Sequence, residues 1–302
     1  MERDMAKGEL TDVLRSRSYY RCLGDGILLL MNKMGSLAGF LWPAAVLYTV
    51  VSVVCLHLEK GLYQPILRDE VWPAEAYVLG LGVLTLLASA VFGACIVWQQ
   101  RKLVETGSLP KARVWKVWRE VLPSLGRLLA LWCIALVVAL VLVFAYALIV
   151  ALLPSLAMAA KVSLGVLLFV VFFLVAAWLV QVGFEYLLSG VSLRKAFGSM
   201  SWGRRYYGRT LLLVFVSAML CLVVSLVMSC PAMVCSYVEG LALSMRLEGD
   251  LDDLPSSFSL ILSIAWLLSA LGSCLSQLLF CFPLCLNWGA THAIEQERAS
   301  NS

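Results

Sequence analysis

"LLALWCIALVVALVLVFAYALIVALL" occupies residues 128–153 and holds 26 residues without one charge. As a helix rising 1.5 Å per residue it is about 39 Å long, more than the ~30 Å hydrocarbon core of a bilayer. It does not alternate apolar and polar positions, as the ~10-residue strands of a membrane barrel do. The stretch therefore reads as a transmembrane helix. The whole chain agrees, since 62% of its 302 residues are hydrophobic and 14% charged, against about 45–50% and 25% for a soluble domain. Five further runs read the same way, giving expected spans at residues 36–56, 77–98, 128–153, 162–184, 211–234 and 258–286. No small-x-small cleavage pattern follows the first, so it is expected to stay in the chain rather than leave as a signal peptide. The expected fold is an all-α integral membrane protein of one six-span domain over residues 1–302. Residues 1–35 form an amphipathic N-terminal segment, 36–286 the bundle and 287–302 a tail.

Charge distribution orients these spans. Six Lys and Arg lie in the N-terminal segment, seven in the second loop, five in the fourth, and Arg298 in the tail; only Lys60, Arg68, Lys161 and Arg246 lie on the other side. The positive-inside rule then predicts both termini in the cytoplasm. The opposite loops are acidic, with Glu59, Asp69, Glu70 and Glu75 in the first and Glu239, Glu248, Asp250, Asp252 and Asp253 in the last. The net charge of +4 is thus a sidedness signal and gives no case for nucleic acid. The expected partner of the basic side is the anionic inner leaflet, where each Lys or Arg near the surface is worth about 1 kcal/mol.

Two basic loops share letters. "SLPKARVWKVW" covers 108–118 and "SLRKAFGSMSW" covers 192–202. In the first, Ser108 is placed to cap a helix with Pro110 in its first turn. Val114, Trp115, Trp118, Val121, Leu122 and Leu125 then share one stripe. Lys111, Arg113, Lys116 and Arg119 make its basic complement. That is the pattern of a helix lying at headgroup depth, expected to end or kink at Pro123. In the second, Ser192 caps a short helix, Gly203 breaks it, and the basic residues are Arg194, Lys195, Arg204, Arg205 and Arg209. "SYYRCLGDGILLLMNKMG" (18–35) is a weaker third copy. Three hairpins, each led by an interfacial helix, fit this pattern. So do independent basic loops, because aligning Ser108 with Ser192 points the two stripes at nearly opposite faces.

"FEYLLSGVSLRKAFGSMSWGRRYYGRTLLLVFV" (184–216) resembles the stretch after the fourth helix in a group of bacterial six-helix membrane proteins. That group includes the membrane domain of some glycerophosphodiester phosphodiesterases and its stand-alone relatives. The features are Lys195-Ala196, Ser199 or Ser201, Trp202 and the basic-aromatic run to Arg209; "LNWGATHAIEQER" (286–298) looks like the short tail of the stand-alone members. The resemblance implies a six-span fold in a bacterial cytoplasmic membrane. It implies no activity, because the phosphodiesterase's His and carboxylate metal site has no counterpart here.

Chemistry-bearing residues are few. His57 and His292 fall at span ends on opposite sides of the membrane. Glu185, at the end of the fourth span, lies one turn after Gln181 on the same face. The pair can line a polar cavity, or Glu185 can reach the interface and pair with Arg194 or Arg204. Gln277 in the sixth span is placed to hydrogen-bond across helices. Cys274, Cys281 and Cys285 share a face without a His or carboxylate, and read as core packing rather than a metal site. Cys230 and Cys235 flank Pro231, where they can pair or stay free. "RLEGDLDDLPSS" (246–257) lacks the spacing of a Ca²⁺ loop. No nucleotide, serine-hydrolase or zinc-protease motif occurs, and no cofactor is expected. The sequence supports a non-enzymatic membrane protein that organises membrane partners or binds lipid headgroups. The alternative is a permease-like subunit for a small or lipid-like solute.

Overall fold

The computed structural model describes residues 13–66, 71–110, 112–152, 158–198, 200–247, 255 and 257–301. Every regular element among them is helical: α1 (Tyr19–Ile66), α2 (Val71–Thr106), α3 (Val114–Leu152), α4 (Met158–Leu188), α5 (Leu193–Gly198), α6 (Met200–Leu247) and α7 (Phe258–Ser300). All but α5 are long and apolar enough to cross a membrane, so the architecture is that of a multi-pass membrane protein. The first described residue, Val13, and the last turns of α7 meet at one end of the bundle, since Gly289 on α7 abuts the backbone of Val13. That end is called the terminal end below.

The helices run further than the apolar runs. The expected segment 1–35 and first span merge, because α1 begins at Tyr19 and continues through Gly35. The expected tail supplies the last turns of α7, and Asn287 to Thr291 remain buried. Hydropathy falls at both places, but the backbone bonds of a helix continue wherever neighbours cover it.

Three boundary expectations are corrected. Ser108 does not cap α3. Gly107 takes φ 64° and ends α2 in the left-handed conformation favoured for glycine after a helix, with its N–H bonded to Leu103 O at 2.9 Å. The Thr106 hydroxyl donates to Lys102 O at 2.8 Å, so Ser108 belongs to the exit from α2, and α3 starts six residues later. Pro123 does not end the helix that follows. It lies inside continuous α3 at an exposed position, where the carbonyl that loses its backbone donor faces outward. Gly203 likewise sits inside continuous α6, so the second basic loop holds only the one-and-a-half turns of α5, docked through buried Ala196. The acidic loop at 248–254 and Lys111 lie outside the described residues.

α7 occupies the centre and packs against α1, α2, α4 and α6, while α3 and α4 form a peripheral hairpin. The best-packed layer lies towards the terminal end. Phe40 stacks on Trp98 at 4.9 Å and 13°, and Phe92, Phe282 and Leu286 are fully buried. Close approach of α1 to α7 requires a glycine: a Cβ on Gly26 would lie 2.9 Å from the Pro283 backbone. Small residues play this part in membrane bundles, where lipid offers no hydrophobic drive for helix association. Gly26→Ala is therefore expected to destabilise the protein by about 1–3 kcal/mol, the usual cost of overpacking. Gly24→Ala, with nothing within 4 Å, should be neutral or stabilising. Thermal unfolding of both variants in detergent checks the contrast.

Candidate functional site

Polar side chains cluster where α4, α6 and α7 meet at the terminal end. Glu185 sits one turn from the end of α4 and is buried, 8% exposed. Its Oε2 accepts hydrogen bonds from Trp288 Nε1 and from His292 Nε2, each at 2.8 Å. Trp288 and His292 are four residues apart on α7, so they share a face, and their rings lie 4.4 Å apart. The imidazole can donate from Nε2 whether neutral or protonated, so the carboxylate keeps both donors in either state. The expected arginine partner is replaced. α7 runs on past Leu286 and places its own donors against α4, while Arg194 is exposed and meets no carboxylate among the described residues.

Arg209 on α6 lies beside this pair. Its Nε donates to Asn287 Oδ1 at 2.8 Å and its Nη2 to Cys22 Sγ at 3.2 Å. Asn287 donates in turn to Thr210 Oγ1 at 3.2 Å. Among the described residues no carboxylate meets the Arg209 guanidinium, which has five N–H donors to place. Further along, Tyr206 donates to Glu295 at 2.7 Å, and Arg298 reaches the same carboxylate oxygen at 3.3 Å. Gln181 shares the face of Glu185 and lines a crevice of about 10 Å³ with Phe184, Thr210, Asn287 and Trp288. That is room for about one water at most, not for a solute.

Arg127 on α3 was not singled out from the sequence. It donates to the carbonyls of Tyr186 and Gly190 at 3.5 and 3.1 Å and so closes the C-terminus of α4, where a cation also meets the negative end of the helix dipole. Its guanidinium lies 5.5 Å from the Tyr186 ring centre.

The predicted headgroup residues divide. Arg113, Lys116 and Arg119 are exposed on and before the first turns of α3, and Arg194, Lys195 and Arg205 are exposed around α5. Arg204 lies in α6, and its side chain is outside the description. The expected apolar stripe of α3 splits in two. Val114 and Val121 are buried in the bundle, whereas Trp115 is 74% exposed and Leu122 exposed. Trp115 and Trp118 roof a groove of about 710 Å³ whose floor is Pro43, Val46, Leu47 and Val50 of α1 and Val91 of α2. A smaller lobe of about 260 Å³ adjoins it and carries Arg113 on its wall.

All ten cysteines, Cys230 and Cys235 included, are free. Comparison of the chain with known protein families, with curated proteins and with solved structures gives no match.

The Glu185 geometry sets a stability expectation. Glu185→Leu leaves the indole and imidazole donors without their acceptor, at a cost of roughly 1–3 kcal/mol. Glu185→Gln keeps an acceptor oxygen and should cost less. Thermal unfolding of the purified variants reads the difference; a Glu185→Leu protein as stable as the parent would mean that these bonds hold nothing together.

Proposed function

We propose that the chain is a non-enzymatic protein of the bacterial cytoplasmic membrane, with both termini in the cytoplasm, that binds anionic phospholipid from the inner leaflet. The observation that carries this reading is the apolar groove beneath the basic start of α3. Its volume of about 710 Å³ falls within the ~300–1,000 Å³ of ordinary ligand sites. Its walls are apolar, which suits an acyl chain. Its roof is two indoles, which favour the boundary between headgroups and hydrocarbon. A phosphate above the roof would meet Arg113, Lys116 and Arg119. A protein that holds lipid in this way can organise membrane partners around it, and the resemblance to the six-helix family enters the proposal as a fold and a compartment only.

A second reading, a permease-like subunit for a small or lipid-like solute, is favoured by one observation: a second cavity of about 530 Å³ between α1, α2 and α7, on the side of the bundle away from the termini.

The lipid reading is tested by native mass spectrometry of the protein released from nanodiscs of mixed phosphatidylglycerol and phosphatidylcholine. Retained lipid should be enriched in phosphatidylglycerol. Replacing Arg113, Lys116 and Arg119 by Gln should remove the enrichment, at about 1 kcal/mol per charge. Trp115→Ala should lower total lipid retained. Equal retention of the two lipids by the parent protein would refute the reading.

A further inference from the structure

The smaller lobe beside the apolar groove has a polar feature on its α1 wall. Gly39, Trp42 and Pro43 of α1 face Arg113, Val114 and Trp115 of α3 across about 260 Å³. Pro43 lies inside α1. It has no N–H, so the carbonyl four residues before it, that of Gly39, loses its donor from the helix ladder. Carbonyls of a helix point along its axis towards the next turn, here towards the Pro43 ring. Gly39 and Pro43 both line the lobe, so the oxygen between them opens onto it. Gly39 is exposed and has no side chain to cover that oxygen, and a Cβ built there would meet nothing within 4 Å. Among the described residues no side chain donates to it. A backbone acceptor left bare at the edge of the hydrocarbon is costly until something pairs with it.

Arg113 on the facing wall meets no carboxylate among the described residues. The lobe thus offers one cation and one bare acceptor beside an apolar groove. A phosphate answers the cation. A hydrogen-bond donor on the same headgroup answers the carbonyl. That donor has to be neutral. An ammonium group would also donate to the oxygen, but it would stand beside Arg113, Lys116 and Arg119, where like charges repel. A hydroxyl carries no such penalty. The lobe's volume of about 260 Å³ equals that of roughly nine waters at ~30 Å³ each, about the size of a phosphate joined to a three-carbon alcohol.

We infer that the lobe selects, among anionic phospholipids, those whose headgroup carries a free hydroxyl. The phosphate is held by Arg113, and the headgroup hydroxyl donates to the Gly39 carbonyl that Pro43 leaves open. This inference rests on the lipid reading given above and adds a headgroup preference to it.

The test uses the full-length protein in nanodiscs made of equal parts phosphatidylglycerol, phosphatidylpropanol and phosphatidylcholine with the same acyl chains. Phosphatidylpropanol carries the charge of phosphatidylglycerol without its hydroxyls, and native mass spectrometry tells the bound lipids apart by mass. Phosphatidylglycerol should be retained about two- to tenfold over phosphatidylpropanol, the range of one net hydrogen bond. Pro43→Ala returns an N–H to the ladder of α1, where it bonds to the Gly39 carbonyl, and should bring that ratio to about one. The ratio compares two lipids on the same variant, so a change in total lipid does not enter it. Removing a proline from a helix interior favours the helix; should the variant still fail to accumulate, the ratio on the parent protein decides. Enrichment of both anionic lipids over phosphatidylcholine with no difference between them would overturn the inference and leave the lipid reading standing, since Arg113 or water would then satisfy the carbonyl. A preference that Pro43→Ala leaves unchanged would overturn it too. No enrichment of either anionic lipid would refute the lipid reading and the inference with it.

Discussion

A bilayer interior offers no hydrogen-bond partners, so polar side chains within a membrane bundle bond to the backbone of their own helix or to another helix. Among the described residues, α7 takes part in most of the bonds that cross between helices. Its Ser263 receives His57 of α1, its Gln277 donates to Ser89 of α2, its Trp288 and His292 hold Glu185 of α4, and its Ser276, Asn287 and Glu295 meet Ser225, Arg209 and Tyr206 of α6. Interhelical bonds of this kind average about 0.6 kcal/mol each in a membrane protein. Together they reach a few kcal/mol, a sizeable share of the ~5–15 kcal/mol that separates folded from unfolded chains. They also fix the rotation of α7, because each neighbour addresses a different face of it.

This arrangement explains the two unlike halves of the molecule. Towards the terminal end, α7 draws α1, α4 and α6 together, and the space beside Gln181 shrinks to about 10 Å³. Away from it, hydrogen bonds from α7 to α1 and α2 lie further apart, and the walls between them stand open around the hydroxyl-lined cavity. α3 and the part of α4 away from Glu185 take little part. Residues such as Leu136, Leu140, Phe144, Val166 and Phe169 are exposed on them, the condition of a helix hairpin that meets lipid. The start of α3 nevertheless roofs the groove with Trp115 and Trp118, while its basic residues stay exposed.

Much of this was legible in the chain. The uncharged run at 128–153 and its five companions specify the helices, because length and apolarity are properties of single segments. Partners are not. The hydropathy drop after Leu286 read as a tail, yet Asn287, Trp288, Thr291 and His292 repeat at helical spacing, as do Gln181 and Glu185 on α4. Two polar stripes of matching spacing at the same end of a bundle were a signal that Glu185 would find its donors on α7 rather than in a basic loop. The Ser108 error had a similar source. A Ser before an amphipathic run suits a cap, but Thr106-Gly107 just ahead of it is an equally strong stop for α2, and the stop won. The apolar groove under Trp115 and Trp118 and the hydroxyl-lined cavity depend on which helices sit side by side, which periodicity in one helix cannot reveal.

The claim on which the rest depends is that α7 is the element holding the bundle together through its polar residues. It is tested by cutting the chain between residues 247 and 257 and expressing the pieces separately and together. The account predicts that the piece containing α1 to α6 fails to accumulate in membranes alone, is rescued by the piece containing α7, and is rescued less well when that piece carries Asn287→Ala and His292→Ala. A piece lacking α7 that accumulates and resists protease as well as the whole protein would contradict it.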